Sequence, residues 1–184
     1  MIWVPWNYIC LAIIGQSIII YPKQVRNSLP LVLFRFFRSI MFGCFGRSCP
    51  FCTVSTENGF SIVQETEDLI AFRDRSPAAK IHFLVIPRNH IGTVKDLEKK
   101  DISLVQQMIG LGQQLLKEQG YEINDKDQIR LGFHVPPFNS VPHLHMHVIG
   151  GPFKNNWRKW KYMSGRIWYL EASTLLAHLH QLKS

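Results

Sequence analysis

Three histidines stand at every second position in the stretch His143-Leu144-His145-Met146-His147, and apolar residues separate and follow them. In an extended strand alternate side chains leave by the same face, so we expect the three imidazoles to share one face. Rings that change protonation near neutral pH suit two kinds of chemistry. They act as nucleophiles and proton carriers at a phosphate, or they bind a metal ion. The alternative is a surface strand with three histidines and no site.

A Cys-x-x-Cys pair, Cys49 and Cys52, lies well before the histidines in the chain. Such a pair is half of a tetrahedral zinc site, and by itself it does not establish a metal. Two reduced thiols that bind nothing are the alternative. All four cysteines, including Cys10 and Cys44, lie in the first third of the chain. They therefore do not predict a disulfide framework, and a reducing compartment is the default expectation.

The segments around the histidines predict an α+β domain. The histidine stretch is expected to be the fifth strand, after strands at Ser61 to Gln64, Leu69 to Arg73, Ile81 to Ile86 and Ile129 to Val135. Apolar residues with helical spacing predict one main helix between Asp101 and Gly120. The Cys-x-x-Cys pair is expected to open a short helix.

The beginning of the chain differs from the rest in composition. Residues 1–22 carry no charged side chain, and a helix of that length can span about 30 Å of hydrocarbon. Pro5, Asn7 and Gln16 weaken this prediction. Five of the eight net positive charges follow before the first acidic residue, Glu57, which favours membrane or targeting chemistry over nucleic acid.

We therefore divide the chain into a leader, residues 1–46, and a domain, residues 47–184. The leader is either a membrane anchor or an unstructured segment that plays no part in catalysis. If it inserts into a membrane, its basic residues should hold the domain on the cytoplasmic side. We expect the domain to be cytoplasmic, with the nucleus as an alternative compartment.

The histidine stretch resembles the signature of the histidine triad family, His-apolar-His-apolar-His followed by two apolar residues. Phe72–Asp74, Ala79–His90 and Ser140–Pro142 also match family elements, in the family's order. The likeness covers about residues 48–184 and implies the family's α+β fold. That fold is an antiparallel sheet of about five strands with one main helix and a short N-terminal helix, and relatives pair as homodimers through the helix and the sheet.

The resemblance implies a role for each catalytic residue. His145 matches the nucleophile that attacks the α-phosphorus of a nucleotide and forms a covalent nucleotidyl-histidine. The backbone carbonyl of His143 would fix the proton on the His145 ring, and His147 would donate to the phosphate oxygens. His82 matches a fourth active-site histidine. Ser140 matches a serine that bonds the leaving amine.

The resemblance also implies the nucleotide contacts. Asp74 matches a carboxylate that holds the ribose hydroxyls. Three further positions that would border the nucleotide depart from the family pattern. Arg75 stands where relatives are often apolar, His134 where many carry asparagine near the phosphate, and Asn139 where glutamine is common. These departures leave the base and leaving-group preferences open.

The same resemblance implies a candidate zinc site. Some family members and the related galactose-1-phosphate uridylyltransferases hold zinc with a cysteine pair and two histidines. The matching residues in this chain are Cys49, Cys52, His90 and His143. A tetrahedral site of that kind would be structural, because it leaves no open coordination position.

The function that the resemblance implies is hydrolysis of the P–N bond of adenosine 5′-monophosphoramidates, and of acyl-adenylates, with no cofactor required for the chemical step. Residues 132–138 and 167–170 resemble a subgroup of such enzymes. The alternatives are a nucleotide-binding or interaction module, a DNA-adenylate hydrolase, and a dinucleoside polyphosphate hydrolase. DNA-adenylate hydrolases carry a zinc finger after the triad domain, and residues 151–184 contain no cysteine. A nucleic-acid partner is therefore not expected.

Overall fold

The computed structural model describes the backbone of residues 9–14 and 17–22 and the whole of residues 49–182. The chain divides into two units, Met1–Arg47 and Ser48–Ser184. Because the two units are separate bodies, each is described by itself.

The described part of the first unit is a β-hairpin. Strand β1 (Ile9–Ile14) pairs antiparallel with strand β2 (Ser17–Pro22). These residues therefore do not form the helix that a membrane span over residues 1–22 would need. Among all described residues, no helix is long and apolar enough to cross a membrane. The part of the leader after the hairpin, residues 23–46, lies outside the described residues.

The second unit is built on a six-stranded antiparallel sheet with the order β3-β4-β5-β7-β6-β8. Its strands are β3 (Ile62–Glu65), β4 (Leu69–Arg73), β5 (Ala79–Pro87), β6 (Ile129–His134), β7 (Met146–Phe153) and β8 (Tyr169–Glu171). Its α-helices are α1 (Ile102–Glu118), α2 (Asn156–Lys161) and α3 (Ala172–Gln181). The prediction of an α+β domain with a central antiparallel sheet and one main helix is confirmed, with a sixth strand added.

The two faces of the sheet carry different kinds of side chain. Along β5, Phe83 and Val85 pack into the core cluster that also contains residues of α1 and α3. His82 and Leu84 alternate with them and lie on the opposite face. Along β7, Val148 faces the same helical core and His147 faces away. The period of two therefore separates a helix-covered core from a face that carries histidines.

Two local predictions were wrong. Residues 49–52 form a turn instead of a short helix, with the Cys52 amide donating to the Cys49 carbonyl at 3.0 Å. The histidine strand begins only at Met146, so His143 and His145 precede it. The reason is that the Leu144 amide donates to the Ile91 carbonyl at 2.6 Å, in the loop after β5, instead of joining the ladder.

The C-terminal elements restrict how a dimer can form. Strand β8 pairs with the outer edge of β6, and α3 packs against α1. A partner that approached the sheet through that edge of β6 would have to displace β8. The predicted homodimer stays a prediction, and the edge strands of the sheet are β3 and β8.

Gly132 is the position at which β8 depends most on the absence of a side chain. A Cβ there would lie 2.5 Å from the Leu170 carbonyl oxygen and 2.7 Å from the Tyr169 hydroxyl. We expect Gly132→Ala to lower the free energy of unfolding by about 1–3 kcal/mol, because backbone of β8 must move. Gly110→Ala on α1 is the matched control, since a Cβ there meets nothing within 4 Å. It should stabilise the helix by about 0.5–1 kcal/mol. Urea unfolding measures both, and a neutral Gly132→Ala would contradict the close packing.

Candidate active site

Four histidines gather on the face of the sheet opposite the core that α1 and α3 cover. They come from β5, from the end of β6 and from β7 with the residue just before it. Their exposed fractions are 2% for His82, 7% for His134, 7% for His145 and 5% for His147. Adjacent ring centroids are 4.9 to 5.2 Å apart, for the pairs His82–His147, His134–His147 and His145–His147. The arrangement places His147 at the centre of the cluster.

His145 is held in one tautomer. Its Nδ1 lies 2.6 Å from the backbone carbonyl of His143, and a carbonyl oxygen can only accept, so Nδ1 carries the proton. The Nε2 atom is then an unprotonated nucleophile. Burial lowers the pKa of His145, which favours the neutral ring. The relation between the two residues is the one that the sequence predicted.

His82 and His147 form an ordered chain of hydrogen bonds. The Ala78 amide donates to His82 Nδ1 at 3.1 Å, so the His82 proton lies on Nε2. This Nε2–H donates to His147 Nδ1 at 2.9 Å, which places the His147 proton on its own Nε2. The His147 Nε2–H is buried and has no partner among the described residues. The chain therefore ends on a proton donor that is free to bind a substrate oxygen.

The remaining predicted site residues differ in how close they lie to the histidines. Asp74 belongs to the cluster, since its Oδ2 lies 3.5 Å from His82 Nε2 and its Oδ1 accepts from the Ser76 amide. Asn139 is half-buried in the loop before the triad, and its side-chain amide donates to the Val141 carbonyl. Arg75 and Ser140 are exposed, and the Arg75 guanidinium lies 4.9 Å from the centre of the Phe60 ring. Among the described residues, no hydrogen bond or ring contact joins either of them to a histidine of the cluster.

Comparison with known proteins identifies the family to which the chain belongs. Residues 48–163 match the family model described as "Scavenger mRNA decapping enzyme C-term binding". The bifunctional adenosine 5′-phosphosulfate phosphorylase/adenylylsulfatase HINT4 of Arabidopsis thaliana is 42% identical over 143 residues, which are 75% of this chain and 95% of that protein. The adenosine 5′-monophosphoramidase HINT3 of Mus musculus is 39% identical over 139 residues, 73% of this chain and 82% of that protein.

The chain belongs to the histidine triad family. Among solved structures, the histidine triad family hydrolase of Legionella pneumophila is 30% identical, with a TM-score of 0.52 over 57% of this chain and 94% of that one. A histidine triad protein from Clostridium difficile gives the same TM-score at 27% identity and covers 61% of this chain and 98% of its own. The similarity to the HINT3 protein of Mus musculus confirms the predicted likeness to the monophosphoramidase subgroup.

The first histidine of the triad, His143, belongs to a separate cluster. Its Nδ1 lies 3.4 Å from Cys49 Sγ and 3.7 Å from Cys52 Sγ, and His90 Nδ1 lies 3.2 Å from Cys52 Sγ. The four ligand atoms all lie within 4.8 Å of one another. A tetrahedral zinc ion with usual bond lengths separates its sulfur and nitrogen ligands by about 3.6 Å. The residues therefore fit a zinc ion in the donor set that the sequence suggested.

The surroundings of His143 suit a metal ligand as well. Its Nε2 lies 2.9 Å from the Pro87 carbonyl, so this nitrogen donates and Nδ1 keeps its lone pair toward the cysteines. A carbonyl on the second ring nitrogen is the usual way in which a protein orients a metal-binding histidine. Phe51, between the two cysteines, packs with its ring centre 5.5 Å from that of His145. The cysteine cluster thus adjoins the histidine cluster.

Sequence reasoning missed the residues that cover the site from the segment after the triad. The Tyr162 ring is 2% exposed, and its centre lies 5.4, 5.2 and 5.1 Å from the rings of His82, His134 and His147. Arg158 joins α2 to the loop after β4 by donating to the Ser76 carbonyl and hydroxyl. No local pattern could have indicated these contacts, because they join residues between 15 and 82 positions apart in the chain.

The burial of His82 predicts a loss of stability in acid. Burial lowers its pKa from 6.5 to about 4 against the attraction of Asp74, and Lys161, Arg158 and His134 lower it further. Between these two pH values the unfolded chain binds more protons than the folded one, so the free energy of unfolding falls as the pH falls. From pH 7 to pH 5 the part due to His82 is about 2 kcal/mol.

The matched variant for this prediction is His82→Gln, which does not titrate and still carries a hydrogen-bond donor. Urea unfolding at pH 7 and pH 5 should show that the wild type loses about 2 kcal/mol more than the variant over this interval. Equal losses in the two proteins would mean that His82 is not held neutral by the fold.

Proposed function

We propose that this chain hydrolyses the P–N bond of adenosine 5′-monophosphoramidates in two steps, through a nucleotide bound covalently to His145. The chain is a hydrolase of the histidine triad family, and its relatives include proteins named adenosine 5′-monophosphoramidase and adenylylsulfatase. The observation that carries the proposal is the His145 ring, whose Nδ1–H is bonded to the His143 carbonyl and whose Nε2 is therefore a nucleophile.

In the first step the Nε2 lone pair of His145 attacks the α-phosphorus. The P–N bond breaks, and its electron pair leaves with the amine nitrogen, which takes up a proton from solvent. The Nε2–H of His147 is the donor that stabilises the charge on the phosphate oxygens, since it is buried and otherwise unbonded. His82 orients this donor by occupying the other nitrogen of His147.

In the second step water attacks the phosphorus, the P–Nε2 bond breaks, and its electron pair returns to His145. The products are the amine and adenosine 5′-monophosphate. Asp74 supports the ribose end of the substrate, because a carboxylate accepts two hydrogen bonds from a vicinal diol. Its Oδ1 is already fixed by the Ser76 amide, which holds the carboxylate in place.

Zinc is part of this proposal as a structural element. Cys49, Cys52, His90 and His143 would hold it, and its four ligands leave no position for substrate. The ion would neutralise the two thiolates and fix the His143 ring. The chain's own contribution is the His143 carbonyl, which orients the nucleophile from the neighbouring peptide unit.

Two substrates separate the proposed activity from its nearest alternative. An adenosine 5′-monophosphoramidate with a fluorescent amine tests P–N cleavage, and adenosine 5′-phosphosulfate tests the activity named for the Arabidopsis relative. The proposal expects amine release with kcat/KM at least about tenfold above that for the phosphosulfate. Binding of adenosine 5′-monophosphate without turnover of either substrate would replace the enzyme by a nucleotide-binding module.

A further inference from the structure

The site contains a second histidine whose free nitrogen has no task in the reaction as described so far. The Nδ1 of His134 lies 3.0 Å from the Trp168 carbonyl, so this nitrogen carries the proton and donates it. The Nε2 of His134 is therefore a lone-pair acceptor. It is buried and has no hydrogen-bond partner among the residues that the structure describes.

A buried acceptor without a partner costs folding free energy, and proteins seldom leave one unless a ligand satisfies it. Here it lies beside an unsatisfied donor, the Nε2–H of His147, and the two ring centres are 4.9 Å apart. The His147 donor is assigned to a phosphate oxygen, so the group that complements His134 must itself donate a hydrogen bond. Water has that property, and a phosphate oxygen, which can only accept, does not satisfy His134.

His134 also lies close to the nucleophile. Strands β6 and β7 pair Gly132 with His147, the last pair of their ladder, and His134 and His145 each lie two residues beyond that pair. The two rings flank His147, at 4.9 Å on one side and 5.2 Å on the other. A phosphoryl group whose phosphorus is bonded to His145 and whose oxygen accepts from His147 is therefore a neighbour of the His134 lone pair.

We propose that His134 is the general base of the second step. As the water oxygen bonds to phosphorus and the P–Nε2 bond of His145 breaks, one water proton passes to His134 Nε2. The His134 ring becomes a cation, whose Nδ1–H keeps its bond to the Trp168 carbonyl. When adenosine 5′-monophosphate leaves, the proton returns to solvent and the neutral ring is restored.

The charge balance of the site supports this role. Burial lowers the pKa of His134 to about 4, with Lys161 and His145 adding to the effect, so the resting ring is neutral and its lone pair is available at pH 7. The bound nucleotide brings a negative phosphate, which stabilises the imidazolium as it forms. His134 therefore becomes a stronger base when the negatively charged nucleotide is bound.

The inference rests on the proposed two-step reaction, and its test separates the two. Wild type, His134→Asn and His134→Ala are mixed with the reporter phosphoramidate, quenched at intervals and analysed by mass spectrometry. Asparagine still accepts a hydrogen bond and cannot take up a proton. His180→Ala is the control for loss of a histidine, because His180 is exposed on α3.

Both His134 variants should release about one amine per active site at close to the wild-type rate and then slow by roughly 100-fold or more. The nucleotidyl adduct should accumulate on His145, and free imidazole should restore turnover to His134→Ala. Loss of rate without accumulation of the adduct, or an unchanged His134→Asn enzyme, would overturn the role of His134. Absence of turnover and adduct in the wild type would instead overturn the proposed function.

Discussion

Replacing His145 by alanine is expected to lower turnover of an adenosine 5′-monophosphoramidate by at least about 10⁴-fold, because the variant has no atom that can bond to phosphorus. The fold should be retained. The His145 ring is buried in the site, and its backbone precedes β7 instead of forming part of that strand. The measurement is the initial rate of amine release with wild type and variant at equal concentration.

His147→Ala and His178→Ala complete that experiment. His147→Ala removes the proton donor at the phosphate and keeps the nucleophile, so we expect a loss of roughly 10²–10³-fold. His178 is exposed on α3, and its replacement should leave the rate unchanged. A His145→Ala enzyme that retained more than about one hundredth of the wild-type rate would exclude His145 as the nucleophile.

Removal of the cysteine pair is expected to give the largest change in stability. Cys49→Ser with Cys52→Ser takes two of the four ligands from the cluster around His143. The purified wild type should contain about one zinc ion per chain and the variant none. If zinc contributes about 3 kcal/mol, a small part of what structural zinc sites supply, the midpoint of thermal unfolding should fall by roughly 6–12 °C.

A strong chelator added to the wild type should reproduce the lower midpoint, and zinc added back should restore it. Cys10→Ser is the matched control, since this cysteine is outside the predicted ligand set. Purified protein with no zinc, together with an unchanged midpoint in the variant, would show that the two cysteines are ordinary thiols. The catalytic proposal does not depend on that outcome, because no step passes through the metal.

The histidine spacing correctly predicted the face on which His147 lies, because it combines two independent constraints. A period of two fixes the face of a strand, and the apolar residues between the histidines bind that strand to the core. Met146 and Val148 do pack into the core, and His147 lies on the other face as expected. The family likeness added His82, which periodicity alone would have left as a core residue of β5.

The parts that were missed depend on contacts between distant segments. The sequence around Tyr162 has no periodic pattern, and its position over three histidines follows from the bonds of Arg158 to Ser76. The prediction that all three triad histidines share one face was incomplete, because His143 turns to the cysteine cluster before the strand begins. Strand β8 was not predicted, because its three residues are too few to show an alternation of apolar and polar side chains.

The central claim is that His145 carries the nucleotide during the reaction. The most direct measurement is a mass spectrum of wild-type protein quenched in acid-free denaturant during turnover, followed by proteolysis and mapping of the nucleotidyl group. We predict a peptide containing residues 143–147 that is heavier by one adenylyl group, with the modification on His145 and no such peptide from His145→Ala. Turnover with no adduct on any histidine, or an adduct on a different residue, would contradict the account.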